Sequence, residues 1–342
     1  MNYLARRAGE ELLRPGSAYG ADPLGTLEVM DGRPVLRFER RLAHQPEKVW
    51  RALTEPGELA HWFPATVTTQ PRSGGILRFS FDADTPDGDY ANGKVLELDP
   101  PKVFAFSWAG SVLRFELVPE TDGCLLLFSH TLSGTGTEGD LPSVARQAPG
   151  WDACLGLLVA TLDGEPAEPG GSDWFLARAE AYVESYGLGE GEALVDGDGW
   201  MLRFERDLVQ PREQVWAVLT EGDAPVVGGQ APVRFTHGYL EPAAVTELQE
   251  GRTVEYGWRH GNHDAGTVRL VLRDQQPLGT RLVLTQTVPQ ALAEQRATQL
   301  AAWQTHLELL FAALHGDVRC PWPRERTELL RQRYEDRLRG RR

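Results

Sequence analysis

The chain has 342 residues, and 35 Lys and Arg against 49 Asp and Glu give it a formal net charge of −14 at pH 7. This acidic balance argues against nucleic acid or an anionic membrane as a partner, because both repel a negatively charged protein. No run approaches the ~20 apolar residues of a membrane-spanning helix, and no signal-like apolar run opens the chain, so we expect a cytoplasmic protein. The three cysteines are widely spaced without a C-x-x-C, which predicts neither a disulfide framework nor a structural zinc site.

The N-terminal part of the chain changes character at residue 35. Residues 1–34 lack sustained periodicity and are predicted to be a leader. From Val35 onward apolar and charged residues alternate, as in a half-buried strand. Two short helices are predicted next, the first with Pro46 in its first turn and the second ending near Pro64.

A run of strands and one long helix complete this region. Five strand-like segments separated by turn residues predict an antiparallel meander. Apolar residues at helical spacing between Pro142 and Leu162 then predict a long closing helix. This order indicates an α+β fold in which the helix lies across one face of a curved sheet.

Much of this sequence occurs twice. Residues 36–55 (LRFERRLAHQPEKVWRALTE) recur as residues 202–221 (LRFERDLVQPREQVWAVLTE). So long a period indicates two whole domains in tandem rather than a solenoid of short units. Two more pairs follow in the same order: residues 95–108 with 245–258, and residues 150–164 with 302–316.

The repeat predicts the domain boundaries. The second copy is shorter after its first helix and lacks a counterpart to the segment His61–Pro64, so any pocket it holds must differ from that of the first copy. The predicted segments are a first domain at 35–164, a helical appendage at 165–186, an acidic glycine-rich linker at 187–199, a second domain at 200–316 and a helical tail at 317–342.

Several motifs resemble one family. PEKVWRALTEPGELAHWFP, the Gly-Gly turn before ILRFSF, GKVLELDPPKVFAFSW, GCLLLFSHTL and a helix opened by GW are similar to the domain family named for the activator of the 90-kDa heat-shock-protein ATPase. That family belongs to the START-like, SRPBCC, helix-grip (birch-pollen-allergen-like) superfamily. The resemblance covers residues 35–164 strongly and 200–316 more weakly.

The resemblance carries expectations about fold and function. It implies, in each copy, an antiparallel sheet of about seven strands, fewer or shorter in the second, that grips the long C-terminal helix around a deep cavity. Members of the superfamily include lipid carriers, hormone receptors, cyclases and chaperone co-factors, so the fold does not select a function.

Strand parity and helical spacing select most of the side chains that should face the long helix, and the segment His61–Pro64 adds Trp62 and Phe63. These side chains either close the core or line the cavity. In the first copy the candidates are Arg40, Trp62, Phe63, Phe79, Phe106, Trp108, Phe115, His130 and Trp151. In the second copy they are Arg206, Tyr256, Trp258, Gln286, Trp303 and His306.

The polar candidates allow more than one interpretation. Arg40 and Arg206 occupy the same inward position, and a buried arginine requires a partner. They either pair with Glu97 and Glu247, which also recur, or hold an anionic head group. His130 and His306 are core residues, ligand anchors or acid/base groups.

Three functions remain open at this point. The first is a carrier or sensor that binds a small hydrophobic molecule and needs no cofactor or metal. The alternatives are a protein-interaction module that modulates a chaperone ATPase, and a cyclase or hydrolase that uses a cavity histidine as base.

Two further features bear on cofactors and assembly. The loop at 134–139 fits G-x-G-x-x-G but lacks the parallel strand of a dinucleotide site. The duplication predicts a monomer that imitates a dimer of single domains, or a homodimer of the whole chain.

Overall fold

The computed structural model describes residues 23–69, 72–80, 92–133, 139–166, 170–221, 223–275 and 279–340. The chain divides into two compact units between Tyr182 and Val183. Residues 1–22 of the predicted leader and 134–138 of the glycine-containing loop lie outside the described residues.

An eight-stranded antiparallel sheet forms the framework of the first unit, in the order β1-β2-β8-β7-β6-β5-β4-β3. Its hairpins β1–β2 and β6–β7 turn through Asp31-Gly32 and Ala109-Gly110, all with positive φ, which matches the right-handed twist of the strands. The strands are β1 (Thr26–Met30), β2 (Arg33–Leu42), β3 (Thr66–Thr69), β4 (Ile76–Ser80), β5 (Asn92–Asp99), β6 (Val103–Trp108), β7 (Ser111–Glu120) and β8 (Gly123–Thr131).

Among the described residues, four α-helices belong to this part of the chain. α1 (Pro46–Thr54) and α2 (Pro56–Leu59) connect β2 to β3, and each begins with the proline that suits a first helical turn. The long helix α3 (Val144–Asp163) buries most of its side chains and ends at Gly164, whose φ of 73° is the left-handed conformation of a helix C-cap. A further helix, α4 (Ser172–Ser185), follows.

The second unit has a six-stranded antiparallel sheet in the order β11-β12-β13-β14-β10-β9. The strands are β9 (Glu192–Asp196), β10 (Gly199–Leu208), β11 (Glu241–Gln249), β12 (Thr253–His260), β13 (His263–Asp274) and β14 (Thr280–Val288). The helices are α5 (Arg212–Leu219), the long α6 (Arg296–Leu314) and α7 (Arg324–Gly340).

The two sheets share one topology. Read from β9, the second sheet follows the order of the first from β1 to β5 and, within the described residues, lacks only the β3–β4 hairpin. The predicted α+β class with two helix-grip domains is therefore confirmed. The first sheet has eight strands rather than about seven, and the second, as predicted, has fewer, with six.

Two segments expected to be irregular contain strands. Residues 26–30 were assigned to the leader and residues 192–196 to the linker, but they form β1 and β9. Both are edge strands that expose most of their side chains, so charged residues are tolerated there and composition does not reveal the strand. Within the described residues, no helix is both long enough and apolar enough to cross a membrane.

Candidate functional site

Four aromatic rings pack together between the sheet and α3 of the first unit, and we call Phe63, Phe79, Trp108 and Trp151 the aromatic layer. Phe79 and Trp108 stack with their ring centroids 4.9 Å apart and their planes 18° from parallel. Phe63 lies 5.4 Å from Trp108 and 5.9 Å from Trp151. Trp108 is partly exposed and the other three are buried, so the layer reaches the surface at Trp108.

A glycine in β5 makes room for this stack. A Cβ on Gly93 would lie 2.1 Å from the backbone oxygen of Ser107 and 2.9 Å from the ring of Phe79. Any larger residue would push apart β5 and β6 or displace the Phe79 ring. Gly93 is therefore part of the local structure that positions the aromatic layer.

Further rings continue the aromatic layer into the core. Phe115 stacks on Phe128 with centroids 4.6 Å apart, and Trp62 meets the edge of Phe115 at 6.0 Å. Phe106 lies 6.3 Å from Phe63. All four of these inner residues are buried, and their ring contacts are those of a packed aromatic core.

His130 holds the indole of Trp151 in place. Trp151 donates its Nε1–H to Nδ1 of His130 over 2.8 Å. An accepting ring nitrogen requires the neutral imidazole, and burial lowers the pKa of His130 to about 3. Because its Nδ1 lone pair is occupied, His130 orients Trp151 and does not serve as a base through that atom.

Arg40 belongs to a buried polar network rather than to the aromatic layer. Its guanidinium binds the carboxylate of Asp152 on α3. Asp152 also accepts hydrogen bonds from Arg178 and, at 2.8 Å, from the hydroxyl of Tyr182. The Tyr182 hydroxyl also accepts a hydrogen bond from the N–H of Gly25 at 3.0 Å. The network therefore connects α4, α3 and the residue that precedes β1.

The predicted pairing of Arg40 with Glu97 is therefore wrong. Glu97 contacts Arg114 at 3.4 Å, and in the second unit Glu247 contacts Arg269 at 2.6 Å. Both glutamates follow a register shift in their strands, which breaks the alternation on which the prediction depended.

The second unit repeats the tyrosine link. The hydroxyl of Tyr334 on α7 donates to Oε1 of Gln304 at 2.7 Å and accepts the N–H of Gly191 at 2.8 Å. Gln304 occupies the position in its helix that Asp152 occupies in α3. The repeated element thus includes the appended helices α4 and α7 as well as the strands β1 and β9.

The tryptophan hydrogen bond recurs with a different acceptor. Trp303 on α6 donates its Nε1–H to Oε1 of Gln286 at 2.6 Å. Gln286 is paired with Leu202 as His130 is paired with Leu36. Around Trp303, however, the neighbours are histidines: the ring of His237 lies 4.4 Å away and that of His306 lies 5.5 Å away.

A known protein family matches the first unit. Residues 43–163 match the family described as Activator of Hsp90 ATPase homolog 1-like protein. The first unit contains an AHSA1-like domain. The match begins just after β2 and extends to the last residue of α3, so it includes most of the sheet and the helix that hold the aromatic layer.

Several solved structures are similar to the chain, and no curated protein matches it. A conserved protein of unknown function from Enterococcus faecalis is 22% identical over 48% of this chain and 90% of its own, with a TM-score of 0.40. CalU16 from Micromonospora echinospora is 20% identical over 47% of this chain and 94% of its own, with a TM-score of 0.36. DynU16, from the dynemicin biosynthetic locus, is 14% identical over 83% of this chain and 99% of its own, with a TM-score of 0.34.

The AHSA1-like domain brings together all the site residues predicted for the first copy except Arg40. The rings of Trp62, Phe63, Phe79, Phe106, Trp108, Phe115, His130 and Trp151 are connected by direct ring contacts. Their proximity defines a candidate site, and ligand binding by these residues stays a prediction.

In the second unit the structure brings three of the predicted residues together and gives the other three separate partners. Gln286 and His306 meet at Trp303. Tyr256 donates its hydroxyl to the backbone oxygen of Phe235 at 2.7 Å, and Trp258 donates its indole N–H to that of Thr287 at 3.0 Å. The buried Arg206 lies over the ring of Phe311, with 5.0 Å between guanidinium carbon and ring centroid.

Sequence reasoning missed part of the second site. His237 and Tyr239 lie between the repeated blocks 202–221 and 245–258, so the repeat gave no indication of them. Gln299 could have been found, because it aligns with Gln147 when the 152-residue offset between Trp151 and Trp303 is extended along the helix. The same offset aligns Tyr182 with Tyr334.

Proposed function

We propose that the AHSA1-like domain binds a small apolar molecule at the aromatic layer and acts as its carrier or sensor. The observation that carries this proposal is the stack of the partly exposed Trp108 on the buried Phe79. Stacked rings that extend from the core to the surface offer a flat apolar contact area to a ligand that enters at that point.

The polarity of the layer selects the ligand class. The indole N–H of Trp151 and the Nδ1 atom of His130 already bind each other. The guanidinium of Arg40 already binds Asp152 and lies outside the aromatic layer. An anionic head group would therefore be buried without a dedicated cation, at a cost of several kcal/mol. A neutral, largely apolar molecule avoids this cost.

Ligand entry requires movement of Trp108. The four rings of the layer lie within 6.3 Å of a neighbour, and Trp108 is the member that solvent reaches. In this proposal the Trp108 side chain shifts and the ligand enters between its ring and the Phe79 ring, so that both rings contact the ligand in the bound state.

Native mass spectrometry of the full chain purified from its own host tests the proposal. We expect a stoichiometric apolar compound that is released on denaturation and is absent from the variant Trp108→Asp. The matched control is Trp50→Asp, a partly exposed tryptophan on α1 whose ring contacts Phe104 instead of the layer. A chain that carries no such compound, or one that keeps it in Trp108→Asp, contradicts the proposal.

A further inference from the structure

Buried polar atoms without partners gather around Trp303 in the second unit. Among the described residues, His237 and His306 each leave Nε2 without a hydrogen-bond partner, Gln286 leaves Nε2, and Gln299 leaves Oε1. These four side chains, which we call the polar cluster, are all at least nine-tenths buried. Each such atom costs roughly 1–3 kcal/mol unless something binds it.

The polar cluster is held together by Trp303 and the backbone of Tyr239. Gln286 accepts the indole N–H of Trp303, and both histidine rings contact that indole. The Tyr239 N–H binds Nδ1 of His237 at 3.2 Å, and the Tyr239 carbonyl accepts from Nε2 of Gln299 at 2.8 Å. The remaining atom of each side chain is thereby left for a further partner.

These hydrogen bonds define what each open atom requires. His237 accepts at Nδ1, so a neutral ring carries its proton on Nε2 and donates there. Burial lowers the pKa of His306, and a hydrogen bond from its ring to the backbone of Arg234 only partly opposes this. Because Nε2 has no partner, Nδ1 donates this bond and carries the proton, and Nε2 of His306 accepts. The Gln286 amide N–H also donates, and the Gln299 oxygen accepts.

The electrostatic setting favours a neutral partner. Burial lowers the pKa of His306 to about 4 and that of His237 well below its ordinary value, so both rings are uncharged at pH 7. The side chains of Gln286 and Gln299 are uncharged amides. An ion placed among these four groups would lack a counter-charge from them.

Aromatic side chains lie between the polar cluster and the surface. His237 lies in the segment before β11, and Tyr239 in the same segment is 37% exposed. The rings of Tyr239 and Trp322 lie 6.1 Å apart, and Trp322 is 6.5 Å from His306. The polar cluster thus lies beneath an aromatic rim that partly faces solvent.

From these contacts we infer that the second unit binds a small neutral molecule with both hydrogen-bond donors and acceptors, such as a primary amide or a lactam. Its carbonyl accepts from His237 and Gln286, and its N–H groups donate to His306 and Gln299. The inference is independent of the apolar site in the AHSA1-like domain, since the residues and the ligand chemistry are different.

Titration of the full chain, followed by the ¹⁵N resonances of its histidine rings, tests this inference. The probes are acetamide and benzamide, each compared with the ketone of similar shape that lacks N–H donors, acetone or acetophenone. We expect both amides to shift the Nε2 signals of His237 and His306 in a saturable way. Each ketone leaves the acceptors on His306 and Gln299 without a donor, and it should bind at least about tenfold more weakly than its amide.

Variants separate a specific site from general weak binding. Gln286→Leu removes one donor and Gln299→Leu removes one acceptor, and each should weaken amide binding about tenfold. The control is Gln214→Leu, the same change at an exposed position of α5, which should bind as the unaltered chain does. Two separate cluster variants are used so that one that fails to fold does not decide the result.

Three outcomes would overturn the inference. The first is an absence of histidine shifts with either amide, which would mean that water alone satisfies the open atoms. The second is equal binding of amide and ketone. The third is amide binding of unchanged affinity in a folded Gln286→Leu or Gln299→Leu chain.

Discussion

Trp303 donates its indole N–H to the side-chain oxygen of Gln286 over 2.6 Å, at the place where the long helix of the second unit crosses its sheet. The first unit has the same bond, from Trp151 to His130. The tryptophan and its acceptor are common to both copies, but the surrounding residues are not. Phenylalanine rings surround Trp151, and histidines contact Trp303. One scaffold therefore supports an apolar and a polar candidate site.

Replacement of His130 tests the role of the shared bond. His130→Leu leaves the buried N–H of Trp151 without an acceptor and should lower the free energy of unfolding by about 1–3 kcal/mol. His130→Gln places there the acceptor that the second unit uses, so it should cost clearly less. Urea unfolding followed by tryptophan fluorescence measures both, and equal losses would show that the bond contributes nothing.

Acid should destabilise the protein through its buried histidines. The pKa of His130 is lowered to about 3 and that of His306 to about 4, whereas the unfolded values lie near 6.5. The unfolded chain therefore binds more protons, and the stability present above about pH 6.5 is lost as the pH falls toward these folded values. Each histidine should contribute a slope of about 1.4 kcal/mol per pH unit in this window.

Urea unfolding at several pH values measures how the free energy of unfolding depends on pH. In His130→Gln this slope should be smaller by the contribution of one histidine, about 1.4 kcal/mol per pH unit. An unchanged slope would contradict the burial of a neutral ring.

The tyrosine links should contribute similarly in the two units. Tyr182→Phe and Tyr334→Phe each remove a hydroxyl that accepts a glycine N–H and donates to the long helix. Each change should cost about 1–3 kcal/mol in unfolding free energy, because a buried N–H then lacks its acceptor. Denaturant unfolding together with hydrogen exchange at Gly25 and Gly191 reports the effect. Continued protection of either amide in the corresponding variant would refute the link.

Loss of Asp152 should be among the more damaging single changes in the first unit. Asp152→Ala leaves the buried guanidinium of Arg40 without this carboxylate, and breaking a buried ion pair costs about 3–5 kcal/mol. Asp163→Ala on the same helix removes a carboxylate that is 48% exposed and binds His44, so it should cost at most about 1 kcal/mol. Thermal and urea unfolding compare the two, and similar losses would argue against a structural role for the Arg40 network.

The sequence predicted the repeated core of the fold because that core follows simple periodicity. Alternation placed β2 and the meander, and helical spacing placed α3. The edge strands β1 and β9 were missed, since exposed edges carry charged residues in place of an apolar face. Parity also identified Phe79 and Trp108 of the aromatic layer, because inward-facing rings alternate along each strand, and helical spacing identified Trp151.

Other parts of the candidate sites could not be predicted from periodicity. Glu97 pairs with Arg114 and not with Arg40, because a register shift before Glu97 breaks the alternation of β5. Alternation in the sequence does not reveal such a shift. His237 lies in an irregular segment, where contacts with Trp303 are set by tertiary packing alone. The donor or acceptor role of each buried ring nitrogen likewise follows from its hydrogen-bond partners and not from residue type.

The most direct test of two chemically different sites is one pair of titrations on the full chain, recorded through its tryptophan indole N–H signals. Ethylbenzene is the apolar probe and benzamide the polar one. We predict that ethylbenzene shifts the signals of Trp108 and Trp151, and that benzamide shifts that of Trp303 and leaves the first pair unchanged. Shifts of the same signals by both probes, or no saturable shift by either, would contradict the assignment of an apolar site to the first unit and a polar site to the second.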